Sequence, residues 1–223
     1  MNLKDVSIAI ENDLSGLFSE LKSGISARED SRAFGAMIQQ RITNNWDKIC
    51  KNLGYTPLTI PGRKSIWDSA FRGENGETVG IDVKTKDLDD DAYSDGGICA
   101  VGNLLKFLAN DKGVFLLAEF GHRSSEKPGH RDIEYIRVAP FTMLPRHAYR
   151  IENLGTGQVR LNCTIDEVWS EIEWERDQKA FFNIFVDLAT KHYERVSRDA
   201  ARRIKSLESF QANGFTSVSF GRG

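Results

Sequence analysis

SIWDSAFRGENGETVGIDVKTKD, residues 65–87, decides the fold. Residues 65–71 and 78–85 read as strands, and the segment 73–77 between them carries Asn75-Gly76, a hairpin-turn signal of the kind that joins antiparallel strands. The stretch therefore predicts a hairpin. Side chains alternate across a strand, so Asp82 and Lys84 share one face, and pairing across the turn brings Asp68 of the first strand close to Asp82 of the second. Two carboxylates a few ångströms apart repel unless a cation lies between them, and hard oxygen ligands with room for water and phosphate oxygens suit Mg²⁺. Such an ion polarises a phosphodiester and lowers the pKa of a water, while a lysine beside it orients that water or balances charge in the transition state. The triplet alone is weak, because Glu20-Leu21-Lys22 and Asp177-Gln178-Lys179 also match; both fall in helical stretches, where first and third residues do not face each other.

Outward from the hairpin the order is mixed α/β. Val6, Ile10, Leu14, Leu17, Phe18 and Leu21 recur at helical spacing over residues 2–23, with Gly24 as the stop. A second helix over 31–53 buries Phe34, Met37, Ile38, Ile42, Trp46 and Ile49, with Ser31 as N-cap and Gly54 as stop. These amphipathic faces serve either a subunit interface or packing within the domain. After an acidic loop, 87–102, residues 104–108 form a short helix and the apolar run 114–120 a buried central strand. A polar loop over 122–131 leads to a strand over 133–138, and 158–161 adds an edge strand. Thr164 with Glu167 is a capping box opening helical spacing to about residue 211, with a break near Asp177, before a Gly- and Ser-containing tail. The 223 residues suit a single domain: a helical part over 1–54, a catalytic sheet core over 55–163, C-terminal helices over 164–211 and a tail over 212–223.

Composition narrows the function classes. Net charge is -2, so any nucleic-acid contact comes from local patches. Cys50, Cys99 and Cys163 are odd in number and outside any CxxC pair, which predicts buried free thiols and neither a disulfide framework nor a zinc knuckle. His122 and His130 match no short metal motif, and no GxSxG nucleophile elbow occurs. The N-terminus lacks a basic segment followed by an apolar run, and no stretch approaches a membrane span, so a soluble cytoplasmic protein is expected.

Asp68, then Asp82-Val83-Lys84 across a hairpin, preceded by a helix and followed by a helix and central strand, resembles the PD-(D/E)xK nuclease superfamily. Within it the likeness is to type II restriction endonucleases of the EcoRV-like, blunt-cutting kind, through 66–68, 81–84, 103–107 and 204–208, and it spans residues 30 to 210. The resemblance implies a restriction-endonuclease-like mixed sheet with a catalytic hairpin, flanked by helices and ending in a long helical region. It implies that Asp68, Asp82 and the Val83 carbonyl hold Mg²⁺, that Lys84 acts on the attacking water, and that a homodimer cuts double-stranded DNA at a palindrome, leaving 5′-phosphate and 3′-hydroxyl ends. Trp67 stands where the superfamily has its proline, and Gln39 and Gln40 stand where many relatives carry a helix glutamate. A repair or recombination nuclease of the same superfamily, or a DNA-binding module without catalysis, is the alternative.

Candidate DNA contacts follow. The loop over 122–131 offers His122, Arg123, Lys127, His130 and Arg131, suited to groove or phosphate contact, with a plain solvated loop as the competing view. Arg63, Lys64 and Arg72 flank the catalytic strand, and Asn103 is suited to adenine. Residues 176–205 carry eight Lys or Arg, among them Arg198 and Arg202, against four Asp or Glu, a basic surface in an acidic protein. The acids Asp87, Asp89, Asp90, Asp91 and Asp95 read mainly as solvated loop charge.

Overall fold

The computed structural model describes residues 1–19, 25–26, 31–59, 65–90, 97–109, 113–152 and 157–212. Its centre is a mixed sheet in the order β1-β7-β6-β4-β3-β2, formed by β1 (Ile25–Ser26), β2 (Thr56–Leu58), β3 (Ser69–Arg72), β4 (Thr78–Asp87), β6 (Val114–Ser124) and β7 (His130–Pro140). The expected hairpin is β3–β4, with Ser69 opposite Ile81 and Arg72 opposite Thr78. Its turn holds Gly76 at φ 80°, a conformation glycine adopts without strain. The first strand is shorter than expected: it begins at Ser69. β4 then pairs parallel with β6, which requires a crossover, and α3 (Val101–Ala109) lies in it.

Side-chain alternation sends the two faces of this sheet to different partners. Phe71, Val79, Ile81, Leu116, Ala118, Phe120, Ile136 and Val138 pack against α1 (Leu3–Ser19) and α2 (Ser31–Asn52) through Ile10, Leu14, Phe34, Ile38, Ile42 and Trp46. Both helices therefore bury their stripes inside the chain's own fold, the packing alternative of the two expected. Phe115, Leu117 and Ala139 face the other way, toward Leu104 and Phe107 of α3, toward α4 (Gln178–Ala212), and toward a second sheet in the order β5-β9-β8. That sheet comprises β5 (Cys99–Ala100), β8 (Tyr149–Glu152) and β9 (Gln158–Leu161). Residues 158–161 are its middle strand, where an edge strand was expected.

Three further expectations change. His122, Arg123 and Arg131 belong to strands, since β6 runs to Ser124 and β7 starts at His130; only 125–129 is loop. The capping box at Thr164 and Glu167 closes as written, Thr164 N–H donating to Glu167 Oε2 at 2.7 Å and Glu167 N–H to Thr164 Oγ1 at 3.0 Å, yet no α-helix follows it. Ile165, Val168 and Ile172 are all buried in one core cluster, a spacing that a 3₁₀ turn at Trp169–Glu171 serves. The long helix begins after Asp177, whose Oδ1 accepts the Ala180 N–H at 2.6 Å, so the expected break is the N-cap. Gly24, Asp91, Asp95 and the tail over 213–223 lie outside the described residues, as does the Ser31 side chain. Cys50 and Cys99 are buried and Cys163 half-buried, all three free.

Phe141 ties the layers together. It is fully buried and its ring meets those of Phe115, Tyr149, Phe181 and Phe185. Phe141→Ala is expected to lower unfolding free energy by about 3–5 kcal/mol in urea titration, the usual cost of emptying a large aromatic site. A loss below about 1 kcal/mol would refute its place at the joint.

Candidate active site

β3 stops one residue short of Asp68, and that residue continues the ladder in two ways. Its backbone N–H donates to Ile81 O at 2.8 Å, and its carboxylate Oδ2 accepts the Val83 N–H at 2.8 Å, taking the place a further strand residue would occupy. Val83 and Ile81 present both backbone groups to this edge of β4, so the Val83 carbonyl points to the same side as Asp68. The other Asp68 oxygen accepts from Gln39 Nε2 of α2. Of the two glutamines, Gln39 is the one that reaches the site; Gln40 is exposed on the helix.

Asp82 and Lys84 lie on the β4 face turned toward α3. Asp82 is buried, 6 % exposed, and Lys84 Nζ stands 2.9 Å from its Oδ2 while also reaching Gly97 O at 3.4 Å. Trp67 forms a wall beside them: its side chain presses on Gly80, where a Cβ would fall within 3.0 Å of it, and its ring lies 4.7 Å from that of Phe107. Burial pushes the Asp82 carboxyl up to about 7; the Lys84 ammonium opposes that shift and the Asp68 charge reinforces it. Burial also raises Asp68, against the Val83 N–H and Lys84. Nearby, burial drives the Cys99 thiol up to about 12, with Asp82 adding to the effect, so this cysteine is no nucleophile.

Whether these residues suit a divalent cation turns on Asp82. A buried carboxylate whose proton affinity is raised even beside an ammonium is short of positive charge, and two carboxylates with an edge carbonyl are hard donors. Mg²⁺ is commonly held by one or two carboxylates plus water and phosphate oxygens, so Asp68, Asp82 and the Val83 carbonyl fit it. Among the described residues no group of three or more His, Cys, Asp or Glu side chains comes together to hold a metal ion. Glu119 is opposite Lys84 on β6 and buried, but its Oε1 already accepts from Tyr135 OH at 3.0 Å and Ile165 N–H at 2.8 Å.

Most other candidate contacts are placed elsewhere. Arg72 braces the hairpin turn through Gly76 O at 2.9 Å and Thr78 Oγ1 at 3.3 Å, at the end of β4 remote from Asp82. His122 is a core residue: fully buried, its ring 4.3 Å from that of Phe34, and lowered to about 4 by burial and by Arg131. Arg131 pairs with Asp87 at 2.7 Å, and Arg123 donates to Leu88 O at 3.2 Å beside Asp89. Asp87 and Asp89 therefore fasten the ends of β6 and β7 and are not simply solvated charge. Lys127 lies in the exposed turn and Asn103 on the exposed face of α3. Arg198 and Arg202 are exposed on α4, where Arg202 contacts Asp199, beyond the buried His192. Arg63 and Lys64 lie outside the described residues.

Missing from the sequence reading were Trp67 as the wall and the Gly97 carbonyl as the second anchor of Lys84. The first had a signal, a large aromatic two residues from a glycine-bearing strand pairing; the second, a backbone atom in a loop, had none. No described helix is long and apolar enough to cross a membrane. Compared with known proteins, the chain matches no family model, and no curated protein matches it.

Proposed function

We propose that this chain is a Mg²⁺-dependent endonuclease of the PD-(D/E)xK kind that hydrolyses phosphodiester bonds in double-stranded DNA, working as a homodimer on a palindromic site. The reading rests on one observation: Asp68, Asp82 and Lys84 converge at the open end of the β3–β4 pair, with Asp82 buried against the Lys84 ammonium. The mixed sheet with its catalytic hairpin and parallel β4–β6 crossover is compatible with a restriction-endonuclease-like core.

The cation, when bound, supplies positive charge to the scissile phosphate and acidifies a water. The chain's own groups do the rest. Val83 N–H and Gln39 fix both Asp68 oxygens, so that carboxylate is oriented before substrate arrives. Lys84 is held between Asp82 and Gly97 O, which keeps one cationic donor beside the carboxylates, where negative charge develops on the phosphate. Trp67 and Phe107 exclude water from the α3 side, which strengthens these interactions.

Supercoiled plasmid incubated with the protein in Mg²⁺ is the direct test. Discrete blunt fragments with 5′-phosphate ends are expected, and EDTA should abolish them. Nicks or a smear would favour a repair-type nuclease of the same superfamily. Intact plasmid in both Mg²⁺ and Mn²⁺ would leave a DNA-binding module without catalysis.

A further inference from the structure

Beyond Lys84 on the same face of β4, the next residue is Lys86, about 7 Å along the strand. It opens a cleft of about 700 Å³ between the loop over 88–90 and the segment over 162–167. That volume lies within the range of small-molecule and nucleotide sites. Its floor is the Tyr135 ring, which lies directly over Gly121, since a Cβ there would fall 2.2 Å from the ring. The floor is fixed from beneath by the Tyr135 OH to Glu119 bond at 3.0 Å.

The cations of this cleft are committed to its walls. Lys86 Nζ donates to Asp90 O at 2.9 Å, Arg123 to Leu88 O at 3.2 Å, and Arg137 pairs with Asp166 at 2.7 Å and Glu11 at 3.1 Å. Glu134 differs. Gly121 pairs with Tyr135 and His122 with Ile133, so Glu134 is the extra residue of a β-bulge. The bulge turns it onto the Tyr135 face, where it lines the cleft, exposed and with no ion pair to a described residue. Bulges re-aim single side chains in this way.

We propose that this cleft is a specificity site of the nuclease reading above, taking a nucleobase next to the scissile phosphate and selecting cytosine or adenine through Glu134, by the N4 or N6 amino group. A carboxylate acceptor repels phosphate but accepts from cytosine N4 or adenine N6, and the Tyr135 ring offers a flat surface beside it. The inference rests on the nuclease reading for its substrate, and the experiment separates the two.

Duplexes bound by the wild-type protein are selected from a random pool without divalent metal, and the cut ends are mapped in Mg²⁺. Wild type should enrich cytosine or adenine at one position beside the cut. Glu134→Ala should flatten that enrichment by about 10-fold, and Glu134→Lys should move it toward guanine, whose O6 and N7 accept from a lysine. Thermal melts of both variants check that the fold is retained, as an exposed bulge side chain allows. A pool with no enrichment, or an Ala profile equal to wild type, overturns the specificity site. If wild type cuts and the profile is unchanged, the nuclease reading stands and this site falls. If wild type selects through Glu134 but never cuts, the reverse holds.

Discussion

Asp82→Asn is expected to reduce Mg²⁺-dependent cleavage by about a thousandfold or more, and at the same time to raise the melting temperature of the metal-free protein at pH 8. The loss follows because the carboxylate acts where charge develops, and the removal of one such group is felt on that scale. The gain in stability follows from the proton balance. Asp82 titrates at about 7 in the folded chain against 3.8 for a free side chain, so the folded state binds its proton more tightly. Between pH 4 and pH 7 the unfolded chain has released that proton and the folded chain has not, and stability falls as pH rises. Above about 7 the whole burden is present; below about 4 there is none. Asparagine has the same shape and no charge, so the gap between variant and wild type in EDTA should be absent at pH 4. At pH 8 it should reach the order of 5 °C. A variant no more stable than wild type at pH 8 would mean that Lys84 already neutralises the buried carboxylate.

Lys84→Met should do the opposite to stability while also disabling cleavage, by about a hundredfold or more. Removing one member of a largely buried ion pair leaves the other uncompensated, an effect of about 3–5 kcal/mol in buried sites. Here the two side chains are 18 % and 9 % exposed, and Asp68 adds its charge to the same spot. Melting at pH 8 in EDTA should fall by about 5–10 °C. Mg²⁺ should then restore more stability to Lys84→Met than it adds to wild type, because the cation replaces the missing ammonium. Equal increments of Mg²⁺ stabilisation in the two proteins would remove the argument that ammonium and metal answer to the same pair of carboxylates.

The hairpin was legible because its signals are local. Asn75-Gly76 marks the turn, the period of two places Asp82 with Lys84, and the helical spacing of Phe34, Ile38, Ile42 and Trp46 is long enough to leave no doubt of period. Elsewhere tertiary contacts prevailed. His122 and Arg131 looked like loop residues because they are polar, yet one packs on Phe34 and the other pairs with Asp87, so the strands run on through them. The second sheet is made of strands of two to four residues, β5 among them brought from a distant part of the chain, too short for a period to register. The choice between Gln39 and Gln40 depends on the rotation of α2 over the sheet, which spacing alone does not specify. The Thr164 box satisfies backbone donors at a turn as well as at a helix start, and only the burial of Ile165, Val168 and Ile172 decides between them.

Asp68 and Asp82 come from one hairpin, while the partner strand β6 is reached only through the α3 crossover. The order of events in folding follows from that. Hairpins close in microseconds, and parallel pairings across a crossover come later. The two acids thus meet while still in water, where their repulsion is slight, and their dehydration falls on the final closure of α3 and the second sheet. Interactions absent from the transition state act on the rate of unfolding. The strain of this site should therefore shorten the lifetime of the native state while leaving the speed of its formation nearly untouched.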